Sequence, residues 1–257
     1  MPDLRAALPR GWAHAARDLA GRLRAPFHRG NRVECPCCGG RFRGFLRGGV
    51  RGREGARCPR CGSLERHRLL WLYLEERTDL LRRPQRLLHV APERRLAARL
   101  ASAPQLRYVS ADLASPLARV RMDLVRIPHP DRSFDAILCC HVLEHVVDDR
   151  RAMRELFRVL APGGWAILQT PWRKGRAVTY EDPALADPAS RRRAFGQPDH
   201  VRVYGCDFLE RLAEAGFAVE RDPWVRELGA ARVRRFGLRA SEDVLRCTRP
   251  PEPESAA

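Results

Sequence analysis

Residues 122–171, MDLVRIPHPDRSFDAILCCHVLEHVVDDRRAMRELFRVLAPGGWAILQTP, decide the fold of this chain. The segment SFDAILCC is a short apolar run, which is typical of a buried strand. The segment DDRRAMRELFRVL predicts an amphipathic helix, because its apolar residues lie three and four positions apart. These residues are Met153, Leu156, Phe157 and Leu160. We expect Pro162, with Gly163 or Gly164, to end this helix before a second strand, WAILQT.

The neighbouring segments extend this unit into an open α/β sheet. Upstream, Arg86 to Val90 and LRYVSADL predict strands, with the helix RRLAARLAS between them. Downstream, CDFLERLAEAGF predicts a helix, FAVERD and DVLRCTR predict strands, and WVRELGAARVRRFGL predicts a helical insertion. A strand–helix–strand unit of this length implies parallel strands with the helix on one face.

The motifs DLVRIPHPDRSFDAI, CHVLEH and LFRVLAPGG follow one another in an order that resembles class I S-adenosylmethionine-dependent methyltransferases of the type 11 group. The resemblance implies a Rossmann-like, mostly parallel seven-stranded sheet with an antiparallel last strand, over residues 84–248. It also implies S-adenosylmethionine as cofactor and in-line attack on its methyl group by an acceptor atom. The acceptor stays open between RNA and a small molecule such as a sugar intermediate.

The turn after the first strand departs from the family pattern. Family members usually have an acidic residue there, followed by a Gly-rich turn, whereas this chain has His89 and then Ala91, Pro92 and Glu93. The resemblance therefore implies a variant turn in which His89, Ala91 and Glu93 bind the methionine part of the cofactor. The rival hypothesis is a non-catalytic nucleic-acid-binding protein on a degenerate methyltransferase fold.

Three further residues are predicted to bind the rest of the cofactor. Asp112 ends the second strand, where a carboxylate can accept the hydroxyls of a ribose; the alternative is a turn-forming aspartate. Asp123 and Leu124 match the family position that meets the adenine. Because the intervening ASPLARVR is short, we expect the helix usually found there to be cut short.

Histidines supply the candidate catalytic residues. His141 follows the central strand, at the edge where open α/β sheets bind ligands, so we assign it to both cofactor and acceptor. His141, His145 and His200 are candidate general bases for the acceptor. The alternative for His145 is a packing role, since Glu144 and His145 are predicted to begin the next helix. Methyl transfer needs mainly alignment of the acceptor in a dry pocket, so a base is not essential.

The long polar segment TPWRKGRAVTYEDPALADPASRRRAFGQPDHVRVYG follows the strand WAILQT. Loops of this length in a compact domain are usually functional, so we expect this one to recognise the acceptor. Its candidate residues are Glu181, Asp182, His200, Arg202 and Tyr204.

Two copies of Cys-Pro-x-Cys-Gly, at residues 35–39 and 58–62, predict a second module. Their four thiolates would close a tetrahedral, structural zinc site. The predicted ligands are Cys35, Cys38, Cys58 and Cys61. Cys37 is the spare thiol, and the segment between the knuckles has the glycines and alternation of a β-hairpin. Residues 32–83 are therefore predicted to form a zinc ribbon and a connecting helix over residues 63–81, which Ser63 caps.

The formal net charge of +17 is concentrated in the N-terminal third. Residues 1–86 hold 20 basic and 8 acidic side chains, whereas residues 87–257 hold 28 and 23. This excess favours RNA as a partner of the ribbon. The alternatives are a solvated arginine-rich face and a ribbon that only caps the cleft.

The termini and the location complete the predictions. Residues 1–31 are predicted to form a basic arm with a short helix that packs on the domain, or alternatively lies on a membrane surface. Its apolar stripe is Trp12, Ala16, Leu19 and Leu23. Residues 249–257 are predicted to be a disordered tail. No apolar run is long enough to span a membrane and no secretory signal is visible, so we expect a cytoplasmic protein.

Overall fold

The computed structural model describes residue 16, residues 19–50 and residues 52–252. A short helix, α1, covers residues 19–24 and continues as a 3-10 turn at Ala25–His28. Leu19 and Leu23 are 59% and 64% exposed, so this part of the predicted apolar stripe does not pack on the domain as expected. Trp12 lies outside the described residues.

Two antiparallel hairpins form what we call the cysteine module, residues 29–62. The first pairs β1 (Arg29–Cys35) with β2 (Gly40–Phe42), and the second pairs β3 (Leu46–Gly48) with β4 (Arg53–Arg57). The hairpin predicted between the two Cys-Pro-x-Cys-Gly segments is therefore confirmed, with an additional hairpin that carries the first of them.

Helix α2 spans Glu65–Glu76 and connects the module to the sheet. It is shorter than the predicted 63–81, and its N-cap is Leu64, whose backbone N–H donates to Nδ1 of His67 at 3.2 Å. The predicted cap by Ser63 is wrong. The Ser63 hydroxyl lies instead 3.1 and 3.2 Å from the sulfurs of Cys35 and Cys61. Ser63 directly follows the second Cys-Pro-x-Cys-Gly segment, so its side chain packs against the cysteines and not on the helix.

The main sheet has seven strands in the order β12-β13-β9-β8-β5-β6-β7. Strands β5 to β9 pair in parallel, and β13 pairs antiparallel with both β9 and β12. This confirms the predicted mostly parallel sheet with an antiparallel last strand. The strands are β5 (Gln85–Val90), β6 (Leu106–Asp112), β7 (Val120–Arg121), β8 (Phe134–Cys140), β9 (Leu160–Gln169), β12 (Ala218–Asp222) and β13 (Val244–Thr248).

Helices cover both faces of the sheet. Alternate residues of β8 point to opposite faces: Ala136 and Leu138 pack with α2, whereas Ile137 and Cys139 pack with helices α4 (Asp149–Val159) and α6 (Phe208–Glu214). The remaining elements are α3 (Arg94–Ala101), α4 (Asp149–Val159), β10 (Tyr180–Glu181), α5 (Pro188–Phe195), β11 (Arg202–Val203), α6 (Phe208–Glu214), α7 (Trp224–Glu227) and α8 (Gly229–Phe236).

Several local predictions are wrong for identifiable reasons. Helix α4 is not ended by a glycine: Leu160 is already extended and begins β9, and Gly163 uses its positive φ of 73° inside that strand. Glu144 and His145 form a 3-10 turn, Leu143–His145, ahead of α4. Residues 113–119 form turns and no shortened helix.

Arg249 is the first residue of the predicted tail. Arg249 donates three hydrogen bonds to carbonyls at the end of α4, so residue 249 is packed on the domain. Residues 253–257 lie outside the described part of the chain.

The strand order reverses at β5. The chain runs outward from β5 to β6 and β7, and then returns to the other side of β5 with β8 and β9. In open α/β sheets such a switch point leaves a crevice at the carboxyl ends of the strands, where ligands bind. Within the described residues, no helix has the length and hydropathy needed to cross a membrane.

Candidate functional site

Two left-handed turns mark the switch point. Ala91 and His141 directly follow β5 and β8, with φ of 48° and 59°. Their backbone N–H groups donate to Ala111 and Gln169 at 2.8 and 2.7 Å, which fixes each turn to the neighbouring strand. Positive φ is the conformation for which glycine is the usual residue. The turn after β5 therefore keeps a glycine-like backbone although the sequence has no glycine there.

Glu93 is held at this edge by a buried chain of hydrogen bonds. Nε2 of His89 lies 2.9 Å from Oε2 of Glu93, and Nδ1 lies 3.0 Å from the Tyr108 hydroxyl. A neutral imidazole would donate to the carboxylate and accept from the tyrosine. His89 is buried and both of its ring nitrogens are occupied. Its predicted direct contact with the cofactor is not supported by this geometry; it positions Glu93.

The ionisation of Glu93 follows from the same contacts. Burial raises the pKa of this carboxyl, but the hydrogen bond from His89 and the nearby imidazoles outweigh burial and lower the pKa to about 2. Glu93 is therefore an anion at neutral pH. A carboxylate in this position can accept hydrogen bonds from a cationic amine.

The two predicted aspartates lie farther along the same edge. Oδ1 of Asp112 accepts the backbone N–H groups of Ala114 and Ser115 at 2.7 and 2.6 Å, which closes the turn after β6. Oδ1 of Asp123 accepts the N–H of Val125 at 3.1 Å, and Leu124 is buried. Both carboxylates thus stabilise the loops in which they lie.

His141 contacts a buried carboxylate, that of Glu144. Its Nδ1 lies 3.4 Å from Oε1 of Glu144, whose Oε2 accepts the Thr170 hydroxyl at 2.8 Å. Burial raises the pKa of Glu144, but the His141 hydrogen bond and the other contacts lower it below its usual value. The sequence indicated no ligand role for Glu144 or Thr170. The only signal that could have identified them is their position just after β8 and β9.

His145 and His200 meet next to Glu144, although they are far apart in sequence. Their rings are perpendicular with centroids 4.7 Å apart. Burial lowers the pKa of His200. The structure thus brings the three predicted catalytic histidines to one side of the crevice, through the turn after β8 and the loop before β11.

The other loop candidates fall into two groups. Arg202 and Tyr204 are buried: the Arg202 guanidinium donates to Glu181 at 2.9 Å and the Tyr204 hydroxyl to Asp149 at 2.7 Å. Arg211 bridges Asp149 and Glu181. Arg202 and Tyr204 are therefore structural, because a network that burial requires to be paired already uses them. Asp182 is half-buried in the same loop, and its Oδ1 accepts the backbone N–H of Ala184 at 3.0 Å.

Helix α2 closes the crevice from one face. Arg66, Leu69 and Leu70 of α2 line a narrow pocket with residues of the sheet edge. The sheet-edge residues are Glu93, Cys140, His141, Gln169 and Glu242. The helix that follows the cysteine module thus forms part of the wall around the candidate site.

The four predicted metal ligands converge. The sulfurs of Cys35, Cys38, Cys58 and Cys61 lie within 4.8 Å of one another, with separations of 3.6 Å for Cys35–Cys61 and 3.8 Å for Cys38–Cys58. Tetrahedral zinc with Zn–S bonds of about 2.3 Å requires sulfurs about 3.8 Å apart. The donor set and its spacing therefore fit zinc, and the glycine after each knuckle has positive φ, 67° at Gly39 and 73° at Gly62.

Arg68 connects the cysteine module to the domain, which the sequence did not reveal. This fully buried side chain donates to Ala56 in the module, to Ser63 directly after it, and to Phe236 and Gly237 at the end of α8, over 2.7–3.0 Å. Its guanidinium also lies 3.8 Å from the ring centre of Phe45. The module is therefore fixed on the domain.

Comparison with known proteins supports the fold. A family model described as a methyltransferase domain matches residues 77–168, from just beyond α2 into β9. A probable S-adenosylmethionine-dependent methyltransferase of Mycolicibacterium smegmatis is 34% identical over 122 residues, which are 45% of this chain and 43% of that protein. A demethylmenaquinone methyltransferase of Mycolicibacterium vanbaalenii is 33% identical over 123 residues, 45% of this chain and 54% of that protein. The chain thus spans about half the length of these relatives.

Among solved structures, the cyclase SpnF resembles this chain with a TM-score of 0.51 and 20% sequence identity, over 95% of this chain and 98% of that chain. At this identity the likeness shows the fold alone, and a cyclase on this fold means that the fold does not decide the reaction. Residues 77–168 are thus similar to a methyltransferase domain, and they lie on a mostly parallel α/β sheet.

Proposed function

We propose that this protein transfers the methyl group of S-adenosylmethionine to an acceptor held beside His141. The observation that carries the proposal is the pair of left-handed turns at Ala91 and His141, one on each side of the switch point. Positive φ is the conformation that glycines adopt where a backbone turn approaches a ligand, and the sheet has a sequence that matches a methyltransferase domain.

The residues along the edge fit the parts of this cofactor, which when bound supplies an electrophilic methyl group on sulfur. Glu93 is an anion suited to the amino group, and Asp112 to the ribose hydroxyls. Asp123 and the backbone N–H of Leu124 suit the adenine. His89 contributes by holding Glu93, and Ala91 by keeping the backbone in the turn.

The acceptor side is built from different residues. His141 lines the pocket that α2 closes, and His145 and His200 lie together beside Glu144. His141 is the group proposed to receive the proton of the acceptor, and His145 and His200 are proposed to help align the acceptor. Alignment in a partly closed pocket provides most of the rate when the methyl donor is already activated.

The cysteine module is proposed to bind one structural zinc ion through Cys35, Cys38, Cys58 and Cys61. The spacing of the sulfurs supports this assignment, and with four thiolates the site has no open position for chemistry. Its role is to hold the module, and through Ser63 and Arg68 the start of α2, against the domain.

Calorimetry with S-adenosylmethionine tests the enzyme hypothesis. We expect binding to the zinc-loaded protein and its loss in the Asp112→Ala, Asp123→Ala double variant. Asp187→Ala is a matched control, because Asp187 accepts two backbone N–H groups with its Oδ1 at 3.0 and 2.9 Å, as Asp112 does, but caps α5. Absence of binding at millimolar cofactor would leave the non-catalytic rival.

RNA is the acceptor that one specific observation favours. Arg22, Arg29, Arg41 and Arg60 line a concavity of ≈ 780 Å³ on the cysteine module. Phosphate contacts release counterions, so binding of a structured RNA should weaken steeply as salt rises, and Arg29→Ala with Arg60→Ala should reduce that slope. Salt-independent binding, or none, would favour a small-molecule acceptor, which the similarity to a demethylmenaquinone methyltransferase also supports.

A further inference from the structure

Three side chains beside His141 present donor atoms to one point. One atom each from Glu144, His145 and His200 lies within 4.8 Å of the other two. They come from the turn after β8 and from the loop before β11, so the fold and not local sequence brings them together. Two imidazoles and a carboxylate form a donor set that binds divalent transition metals in proteins.

The contacts of His145 leave one particular nitrogen for a ligand. Its Nδ1 lies 3.1 Å from the backbone carbonyl oxygen of Asp199 and 3.5 Å from the Asp199 carboxylate. Both are acceptors, so Nδ1 carries the proton and Nε2 keeps its lone pair. Histidines that bind metals usually donate their other ring N–H to a carbonyl or carboxylate in this way.

The buried ring of His200 provides an independent indication that this point binds a ligand. The residue is only 6% exposed, and its Nε2 has no hydrogen-bond partner among the described residues. A buried polar atom without a partner is costly and needs a reason. A ligand atom at this point would provide that partner.

Glu144 supplies the third donor and the charge. It is 2% exposed, and its contacts are the Thr170 hydroxyl at 2.8 Å and Nδ1 of His141 at 3.4 Å. Buried carboxylates are paired with cations or coordinate metals. The Thr170 hydrogen bond orients the carboxylate, as a supporting residue does for a metal ligand.

We propose that Glu144, His145 and His200 bind a divalent transition metal such as Zn²⁺ or Fe²⁺. With three protein ligands the site leaves coordination positions open, and the 33% exposure of the His145 side chain connects these positions to solvent. The site is distinct from the cysteine cluster, whose four thiolates leave no open position. The further conclusion that the metal orients an oxygen-containing acceptor rests on the proposed methyl transfer; metal binding itself does not.

Cobalt(II) added to the full-length protein that carries a single equivalent of zinc, enough for the four-thiolate cluster alone, tests the site. We expect one bound equivalent of Co²⁺ that absorbs without a thiolate-to-cobalt charge-transfer band, since no cysteine contributes. His145→Gln should weaken binding by more than about 100-fold, because changing even a supporting residue of a metal site costs about 10–100-fold. Thr170→Val, which keeps the shape and removes the hydroxyl, should cost about 10–100-fold.

His129→Gln is the control histidine and should leave Co²⁺ binding unchanged; circular dichroism establishes that each variant folds. The proposal is overturned if the wild type binds no Co²⁺, if His145→Gln binds it equally well, or if the spectrum shows thiolate ligands. A protein that binds Co²⁺ as expected but shows no affinity for S-adenosylmethionine would end the proposed function and leave the metal site intact.

Discussion

The cysteine module and the sheet domain reach their folds by different means. Among the described residues 29–62 the buried side chains are few, and half of them are cysteines: Cys35, Cys37, Phe42, Ala56, Cys58 and Pro59. The domain instead buries two continuous apolar clusters, one on each face of its sheet. The comparison indicates that the stability of the module comes from its four-sulfur cluster and its attachment to the domain, whereas the stability of the domain comes from burial of apolar side chains.

Loss of the zinc proposed for the cysteine module has the largest expected effect. Structural zinc in small modules binds with about 10–16 kcal/mol, far more than such a core can replace. We expect a chelator, or Cys58→Ser, to unfold the module, with loss of one zinc equivalent by metal analysis and rapid proteolysis at residues 29–62. The control is Cys37→Ala, since Cys37 is buried but outside the four-sulfur cluster. Retention of zinc and fold in Cys58→Ser would show that the module does not depend on its four-sulfur cluster.

The second largest effect is expected where Arg68 attaches the module to the domain. Replacing Arg68 by Met leaves carbonyls of both regions without a donor, at about 1–3 kcal/mol for each buried group that water cannot reach. We expect a loss of about 3–4 kcal/mol in the free energy of unfolding, measured in urea. Arg66→Met is the control on the same helix, because Nε of Arg66 has no hydrogen-bond partner among the described residues. An equal loss in both variants would mean that helix packing alone holds the module.

Acid should act on the domain through Glu93. Its pKa is about 2 in the folded protein against an ordinary 4.5. A lowered carboxyl pKa contributes stability above about pH 4.5 that is lost as pH falls toward 2, and a difference of this size corresponds to about 3 kcal/mol. Glu93→Gln should remove this pH dependence and lower stability at neutral pH. The measurement is the free energy of unfolding in urea as a function of pH, with the exposed Glu210→Gln as control. If Glu93→Gln loses as much stability on acidification as the wild type, the assignment is contradicted.

The smallest effect is expected at Ala91. Its positive φ costs about 1–3 kcal/mol, of which glycine would recover part while losing about 0.5–1 kcal/mol of chain entropy. We expect Ala91→Gly to stabilise by about 1 kcal/mol or less, whereas Ala97→Gly, within α3, should destabilise by about 1 kcal/mol. Equal destabilisation by both changes in thermal unfolding would show that the turn after β5 is not left-handed.

Much of the domain could be predicted from the sequence because each strand carries its own apolar run. Arg86 to Val90 differs from the observed β5 by one residue, and the run SFDAILCC contains all of β8. The number of strands and the antiparallel β13 came from the family resemblance and are confirmed by the structure. The four cysteines were found because their spacing is local and repeated.

What could not be predicted depends on contacts between distant segments. The end of α4 is set by pairing of Leu160 with Phe134 in β8, which overrides the Pro-Gly-Gly stop signal. Arg202 and Tyr204 looked accessible because their partner Asp149 lies more than fifty positions earlier. His89 looked like a ligand because nothing in the sequence showed that Tyr108, on the neighbouring strand, takes its second nitrogen.

The position of α2 has a consequence for how this protein can change over evolution. Arg66, Leu69 and Leu70 form one wall of the pocket, whereas Ala91, Asp112 and Asp123 follow strands farther along the chain. Under the proposed function, the α2 wall of the acceptor pocket and the residues for the methyl donor are therefore encoded in separate stretches of sequence. Exchange of the segment from the cysteine module through α2 would then change one wall of the acceptor pocket and leave Ala91, Asp112 and Asp123 in place.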